Sequence, residues 1–331
     1  MKQAAKYKTE AEKTAKKQQA LQAEVQQADK RRGGRKKESG AMQAGARKYP
    51  VPPIDNKRLA KPGKETALDV PPYYDAPYYK GSEKLKDKVA IITGGDSGIG
   101  RAVAVLFARE GADVAIIYLN EHDDAAITKQ AVEKEGKRCL LLSGDVVNRN
   151  FCMDAVDAVM KEFGQIDVLV NNSAFQLHVS DFLDLSEAHF DMTLKTNLYG
   201  YFHMAQAVIP HMKPGSAIVN TGSVTGLLGS KNHVDYSETK GAIHTFTRSL
   251  GTHLVPKGIR VNAVAPGPVW TPLNPADKNK DELEHFGTAV PMKRPAQPEE
   301  IAPAFVFLAS PQCSSYITGE VLPIIGGYTG G

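Results

Sequence analysis

The chain has 331 residues, of which 42% are apolar and 24% charged, with a formal charge of +4. That is the composition of a protein with a full hydrophobic core, and its length suits one large domain or two small ones. No run approaches the roughly eighteen apolar residues of a membrane span, and the N-terminus lacks an apolar signal segment, so a cytoplasmic protein is expected.

The charge is unevenly spread. Residues 1–48 carry fourteen Lys/Arg against five Asp/Glu, leaving +9, whereas the rest holds twenty-seven against thirty-two, leaving −5. Residues 1–38 are rich in Ala, Lys, Gln and Glu, with Leu21 and Val25 as the only aliphatic side chains larger than Ala. Such a segment is helix-prone but has no apolar stripe, so a solvated helical or disordered tail is expected over 1–48. Lys30-Arg31-Arg32 and Arg35-Lys36-Lys37 offer electrostatic contact with nucleic acid or an anionic surface, but no aromatic residues alternate with them to stack on bases.

Residues 49–85 are dense in Pro and Tyr. Proline fixes φ and removes donors, so this stretch reads as an extended arm. Four tyrosines within seven residues (Tyr73, Tyr74, Tyr78, Tyr79) are poor candidates for full hydration. The arm is therefore expected to lie along a folded surface, its own or a neighbouring subunit's.

From residue 86 onward, apolar runs alternate with helix-length segments. The runs are Val89–Ile92, Val114–Ile117, Leu140–Leu142, Ile166–Val170, Ala217–Val219, Ile259–Val264 and Val321–Ile325. Continuous apolar strands between amphipathic helices predict an α/β fold, a doubly wound, seven-stranded parallel sheet forming a single Rossmann-type catalytic domain over 86–331.

Thr93-Gly94-Gly95-Asp96-Ser97-Gly98-Ile99-Gly100 follows the first run and opens a helix. Gly94 permits a tight turn, while Gly98 and Gly100 let backbone approach a pyrophosphate and let the helix pack on the sheet. The spacing Gly-x-x-x-Gly-x-Gly differs from the commoner Gly-x-Gly-x-x-Gly. Farther on, Tyr236 and Lys240 form Tyr-x-x-x-Lys, with Ser223 thirteen positions before the tyrosine at the end of an apolar run. On a helix an i,i+4 pair shares a face. An ammonium beside a phenol favours the phenolate, so the Tyr236 pKa is expected to fall toward working pH, as a proton donor to a carbonyl requires.

Taken together, these motifs resemble the short-chain dehydrogenase/reductase family across residues 86–331. The glycine loop matches its cofactor loop, Gly144-Asp145-Val146 its adenine-contacting segment, and Asn171-Asn172-Ser173-Ala174 stands where the family has Asn-Asn-Ala-Gly. The resemblance implies catalytic roles for Asn197, Ser223, Tyr236 and Lys240. It implies cofactor contacts from Gly94, Asp96, Ser97, Gly98, Ile99, Gly100, Asn120, Asp145, Val146, Asn172 and Ser173, and from Tyr236, Lys240, Pro266, Gly267, Val269 and Thr271. The arm and Trp270-Thr271-Pro272-Leu273 look like an N-terminally extended bacterial subgroup, related to glucose/ribitol dehydrogenases and aldehyde reductases.

The implied activity is NAD(P)-dependent hydride transfer between nicotinamide and an aldehyde, ketone or sugar. Tyr236 would be the acid/base, Lys240 would tune it and hold the nicotinamide ribose, Ser223 would donate to the reacting oxygen, and Asn197 would hold a proton-passing water. Two departures stand out. Ser173-Ala174 adds a hydroxyl and a methyl near the ribose, the methyl being tolerated at negative φ. Tyr118 and Leu119 replace the residues that usually choose between the cofactors, leaving NAD or NADP open with a slight lean to NAD from Glu121. The family also implies a homotetramer, and Leu194, Ala205, Val208, Ile243, Phe246 and Leu250 are the expected apolar contact residues.

Other residues receive plainer readings. Cys139, Cys152 and Cys313 form no CxxC and read as reduced, mostly buried thiols. The nine histidines show no metal-ligand spacing, so no metal is expected. His233 is a loop histidine near the site, Asp235 a solvated or capping carboxylate, and Trp270–Arg294 a mobile substrate lid; Gln176 and Leu227 are candidates for the pocket wall. The competing functions are a 3-oxoacyl-thioester reductase and a cofactor-sensing binding protein whose basic tail contacts nucleic acid.

Overall fold

Seven short strands, most of them lined with β-branched and aliphatic residues, form one parallel sheet in a computed structural model that describes residues 40–54 and 57–328, plus positions 19, 20, 23, 24, 27 and 30. The strands are β1 (Val89–Thr93), β2 (Asp113–Tyr118), β3 (Cys139–Ser143), β4 (Val168–Asn171), β5 (Ala217–Thr221), β6 (Arg260–Pro266) and β7 (Val321–Ile324), in the order β3-β2-β1-β4-β5-β6-β7. All seven predicted strands are present, with ends differing by a few residues.

Alternation along the strands divides the core in two. Ala90, Ile92, Val114 and Ile116 face one layer, with side chains from α1 (Gly98–Arg109) and from a helix over Pro298–Ala309. Val89, Ile91, Ala115 and Ile117 face the other layer. There they meet Cys152 and Val156 of α2 (Arg149–Phe163) and Met204 and Val208 of α3 (Gly200–Val208). Register is fixed by this division, because a slip of one residue would turn each strand's apolar set to the wrong layer. The α2 helix starts at Asn148, whose side chain accepts from Asn150 N and Phe151 N, and stops at left-handed Gly164. The helix that carries Tyr236 and Lys240, α4, runs from Val234 to Leu254.

Residues 1–40 and 41–331 form two units. Within the first, the described positions 19, 20, 23, 24, 27 and 30 are helical and exposed and Gly40 is exposed coil; the basic clusters lie outside the described residues apart from Lys30. Residues 41–48, assigned to the tail by charge, instead belong to the folded unit. Arg47 pairs with buried Glu299 and, at 2.9 Å, with Asp75, and its guanidinium lies 4.1 Å from the Tyr73 ring centre.

The arm covers its own domain. Tyr49 is buried, its hydroxyl 2.9 Å from that of Tyr78 and its ring beneath the Arg294 guanidinium. Tyr79 bonds to the buried Glu110 carboxylate, and Arg101 lies over Tyr74. Cationic side chains thus hold three arm tyrosines through their faces. Among the described residues of the arm, one 3-10 turn, Glu65–Ala67, interrupts the extended course; Asp124 accepts from its Glu65 and Thr66 N–H groups.

Candidate active site

The sheet changes winding direction between β1 and β4, where α/β sheets open a crevice beyond their carboxyl ends. A cleft of about 590 Å³ lies there. At its floor, the glycine loop turns from β1 into α1. A Cβ on Gly100 would fall 1.9 Å from the Gly94 carbonyl oxygen, so only glycine lets the helix approach the loop this closely. Gly98 has φ +50°, and a Cβ there would crowd Thr271 at 2.9 Å.

Of the residues assigned to the cofactor, Gly94, Asp96, Ser97, Gly98, Ile99, Asp145, Val146, Asn172 and Ser173 line the cleft from the β1–β4 side. Tyr236, Lys240, Pro266, Gly267, Val269 and Thr271 line it from the β5–β6 side. Gly100 lies beneath. Asn120 is the exception: it is exposed and outside the lining, its N–H donating to Glu121 Oε2 at 3.0 Å, while Glu121 and Leu119 form the wall. A carboxylate accepting from the preceding backbone turns Glu121 inward and leaves Asn120 in solvent. Ala174 is not at positive φ, so its methyl is accommodated.

Asn172 joins three strands. Its N–H donates to Thr93 Oγ1 (2.9 Å), its amide donates to Gly94 O (3.1 Å), and its oxygen accepts from Thr221 (3.2 Å). These contacts tie the loop of β1 to the ends of β4 and β5. A concave, glycine-floored crevice at a helix N-terminus, walled by three strand ends, fits a nicotinamide dinucleotide.

Ser223, Tyr236 and Lys240 converge deep in this cleft. Tyr236 and Ser223 both line its wall, and Ser223 acts to lower the Tyr236 pKa. The Lys240 ammonium donates to Thr221 O at 2.7 Å and stands 5.4 Å from the Tyr236 ring centre. Complete burial pushes Lys240 down to about 7. Burial also pushes the Tyr236 phenol above its ordinary range, Ser223 opposing and the Asp277 charge adding to the rise. The expected downward shift is therefore corrected: loss of water around the phenol dominates.

Asn197 is fully buried in a π turn, Lys195–Tyr199, between α3 and a helix over Glu187–Leu194. Its amide donates to Phe175 O and Thr239 Oγ1, both at 3.0 Å, and its oxygen accepts from Phe175 N at 2.8 Å. Single π turns recur at functional positions, but here the side chain is spent on structure.

Asp277 is the residue that sequence reasoning missed. It is fully buried, and its Oδ1 accepts from His178 N (2.7 Å) and lies 3.0 Å from His178 Nδ1. Its Oδ2 accepts from Gln176 Nε2 (2.6 Å) and pairs with His233 Nε2 (2.8 Å). Burial alone would raise its pKa, but the donors from His233, Gln176 and His178 hold it far below the usual carboxylate range. His233 is thus anchored, with Nδ1 3.3 Å from Ser230 Oγ and its ring against Tyr236. Asp277 carries no motif, and only tertiary packing reveals it.

Several secondary expectations need revision. Asp235 is buried, accepting from Thr193 Oγ1 at 2.5 Å, because α4 packs against the helix that carries Thr193. Trp270 is completely buried among Ile54, Leu283 and Phe286, and its indole N–H donates to Val70 O at 2.8 Å. The lid segment is therefore fastened to the arm. Gln176 lines the cleft, whereas Leu227 is exposed outside it. The three cysteines are free, and burial pushes Cys139 and Cys152 up to about 12, which keeps them as inert thiols. Among the described residues no His/Cys/Asp/Glu group could hold a metal, and no helix is long and apolar enough to cross a membrane.

A family model described as Enoyl-(Acyl carrier protein) reductase matches residues 94–329. The chain belongs to the short-chain dehydrogenase/reductase family. It is similar to the NADPH-dependent aldehyde reductase 1, chloroplastic, of Arabidopsis thaliana, 46% identical over 277 residues that cover 82% of this chain and 96% of that one. The glucose and ribitol dehydrogenase of Daucus carota is 46% identical over 277 residues, covering 82% of this chain and 95% of the relative. Among solved structures, a short-chain dehydrogenase from Burkholderia cenocepacia in complex with NADP matches with a TM-score of 0.69 and 32% identity. That match covers 74% of this chain and 98% of the other. As a member of this short-chain dehydrogenase/reductase family, the chain is an oxidoreductase. The aldehyde reductase is named for NADPH and the Burkholderia structure holds NADP, so neither lends support to the lean toward NAD drawn from Glu121.

Proposed function

We propose that this short-chain dehydrogenase/reductase interconverts an alcohol and a carbonyl compound (an aldehyde, ketone or sugar) with NAD or NADP, and that Tyr236 is its acid/base. The observation that carries this reading is the meeting of Tyr236, Ser223 and Lys240 at the inner end of a glycine-floored cleft. When bound, the nicotinamide supplies or accepts the hydride.

Tyr236 is held protonated by burial, which suits a phenol that must give its proton to a carbonyl oxygen as negative charge develops there. Ser223 Oγ, already accepting from Thr225 N at 3.1 Å, is oriented to donate toward that oxygen. Lys240 directs its ammonium at the Thr221 carbonyl and past the phenol ring, where it lowers the cost of a phenolate and would hold ribose hydroxyls. With the Asn197 amide committed to Phe175 and Thr239, a proton-passing water would be held by main chain at the π turn. Gln176, Ser230 and His233 give the outer wall polar groups, and together with the sugar-dehydrogenase relative they favour a hydroxylated substrate. A homotetramer is the assembly we infer from the family.

Mixing purified protein with NADH or NADPH and a panel of aldehydes, ketones, sugars and an acetoacetyl thioester tests this reading. Cofactor oxidation by a simple carbonyl or sugar is expected. Turnover confined to the thioester would establish the acyl-reductase alternative, and cofactor binding without any turnover would establish the sensor.

A further inference from the structure

Two lysines from outside the sheet-and-helix core stand beside the Asp277 network: Lys278 reaches Asp277 itself, and Lys61 reaches Gln176, whose side-chain amide donates to Asp277. Lys61, in the arm, donates to Gln176 O, and its ammonium stands 5.4 Å from the Phe175 ring centre. Lys278, in the lid, lies 4.0 Å from Asp277 Oδ2 and 6.0 Å from the Phe286 ring centre. Phe175, Lys278 and Phe286 line the cleft, as do Pro62 and Gly63 beside Lys61.

Asp277 does not absorb these two charges. Each of its oxygens already has two donors, from His178, Gln176 and His233, at 2.6–3.0 Å. A carboxylate offers about four acceptor positions, so its capacity is filled. Lys61 uses one of its three N–H groups on the Gln176 carbonyl, and Lys278 makes a longer approach to Asp277 beside the Phe286 ring. Burial pushes Lys61 down to about 8, with the Asp277 charge opposing and Arg58 adding to the fall, so it is still mostly an ammonium at neutral pH. One carboxylate therefore faces two ammonium groups, and the local balance is positive.

The two segments are also fastened together. Leu59 N donates to Pro275 O at 2.9 Å, Leu59 and Leu68 pack on Ala276, and a Cβ on Gly63 would meet Pro272 O at 2.8 Å. The arm therefore delivers Lys61 to a fixed place beside the lid rather than trailing past it.

We propose that Lys61 and Lys278 form a clamp for an anionic group, a carboxylate or a phosphate, carried by the carbonyl substrate, whose carbon chain runs between Phe175 and Phe286 toward Tyr236. The proposal rests on the dehydrogenase reading above and assigns the arm a share in substrate choice. Ammonium groups with spare donors on a partly desolvated wall recognise such anions through charge-assisted hydrogen bonds.

The test compares kcat/KM for pairs of aldehydes that differ in charge, succinic semialdehyde against butyraldehyde and glyceraldehyde 3-phosphate against glyceraldehyde, with cofactor saturating. The charged member of at least one pair should be preferred about tenfold or more, and which pair shows it separates carboxylate from phosphate. Lys61→Met and Lys278→Met, which keep the aliphatic stems, should each bring that ratio toward one through KM. Lys61→Arg should restore most of the preference, which a merely structural role for the arm would not explain. Turnover of neutral and charged members alike would overturn the clamp while leaving the dehydrogenase reading intact. A preference that survives both methionine variants would overturn it as well, and absence of turnover with every carbonyl would overturn both readings.

Discussion

Glu65 reaches from the arm to accept the main-chain N–H of Gly98 at 2.6 Å, at the first turn of the helix that follows the nucleotide loop. The same carboxylate pairs with the Arg101 guanidinium, and both side chains are only 3% exposed. Burial pushes Glu65 above the usual carboxylate range, while Arg101 and the Gly98 N–H oppose that shift. A segment that composition marks as a peripheral arm thus holds the loop on which cofactor binding depends.

Removing this carboxylate should destabilise the protein. Glu65→Ala leaves Arg101 with a longer, 3.6 Å approach to Asp124 as its remaining ion pair and frees the Gly98 donor. Loss of one partner from a buried pair costs about 3–5 kcal/mol. Urea unfolding should show a lower midpoint with unchanged slope, and exchange of the Gly98 amide should quicken. An unchanged midpoint would mean that the arm only rests on the loop.

The N-terminal boundary gives a second expectation. Deleting residues 1–40 should leave kcat/KM within about twofold, far below the tenfold that ~1.4 kcal/mol represents. Deleting through residue 48 also removes Arg47 from the fully buried Glu299 side chain. An unpaired buried acceptor costs about 1–3 kcal/mol, and each kcal/mol lowers Tm by roughly 2–4 °C in a domain of this size. Equal Tm values for the two truncations would refute the docking of 41–48.

The arrangement of strands was legible because it rests on local pattern. Apolar runs of strand length recurred with glycine loops at their ends, and the order of Gly94, Asn172, Ser223, Tyr236 and Lys240 along the chain matched the order of strand ends around the cleft. What remained hidden depends on contacts between distant segments. Asp277 sits in Pro-Ala-Asp-Lys-Asn-Lys, which looks like a solvated loop until Gln176, His178 and His233 close on it. Lys61 and Glu65 lie in proline-rich sequence whose composition says extended but not where it docks. The Tyr236 shift was misjudged because i,i+4 spacing reveals a neighbouring charge but not the loss of water around it.

Cofactor choice should depend on pH. Burial, reinforced by the Glu121 charge, pushes Asp96 up to about 7, and both residues line the cleft beside Leu119 at the end of β2. Below that pH Asp96 is neutral; above it the carboxylate would repel the extra phosphate of an NADPH seated against this wall. The ratio of NADPH to NADH Kd should therefore rise between roughly pH 6 and 8, and Asp96→Asn should flatten it. A ratio independent of pH in the unsubstituted protein would exclude Asp96 as the discriminating group.

Assembly can be checked directly. Ala205, Val208 and Ile243, expected at a contact between subunits, are buried within one subunit, and Phe246 and Leu250 pack against its core. Exposed apolar side chains do occur nearby, at Met192, Tyr199 and Phe202. A homotetramer that covers them should appear by light scattering, and Phe202→Glu should weaken it. A monomer at micromolar concentration would contradict this.

The central claim is that Tyr236 moves the proton. Replacing it with phenylalanine deletes one hydroxyl and keeps the ring that packs beside Lys240 and His233. The direct measurement is kcat for Tyr236→Phe together with cofactor Kd by fluorescence titration. General acid/base groups contribute about 10²–10⁴-fold, so kcat should fall by at least that lower bound while Kd stays within about twofold. A variant that turns over at near the original rate would contradict the account.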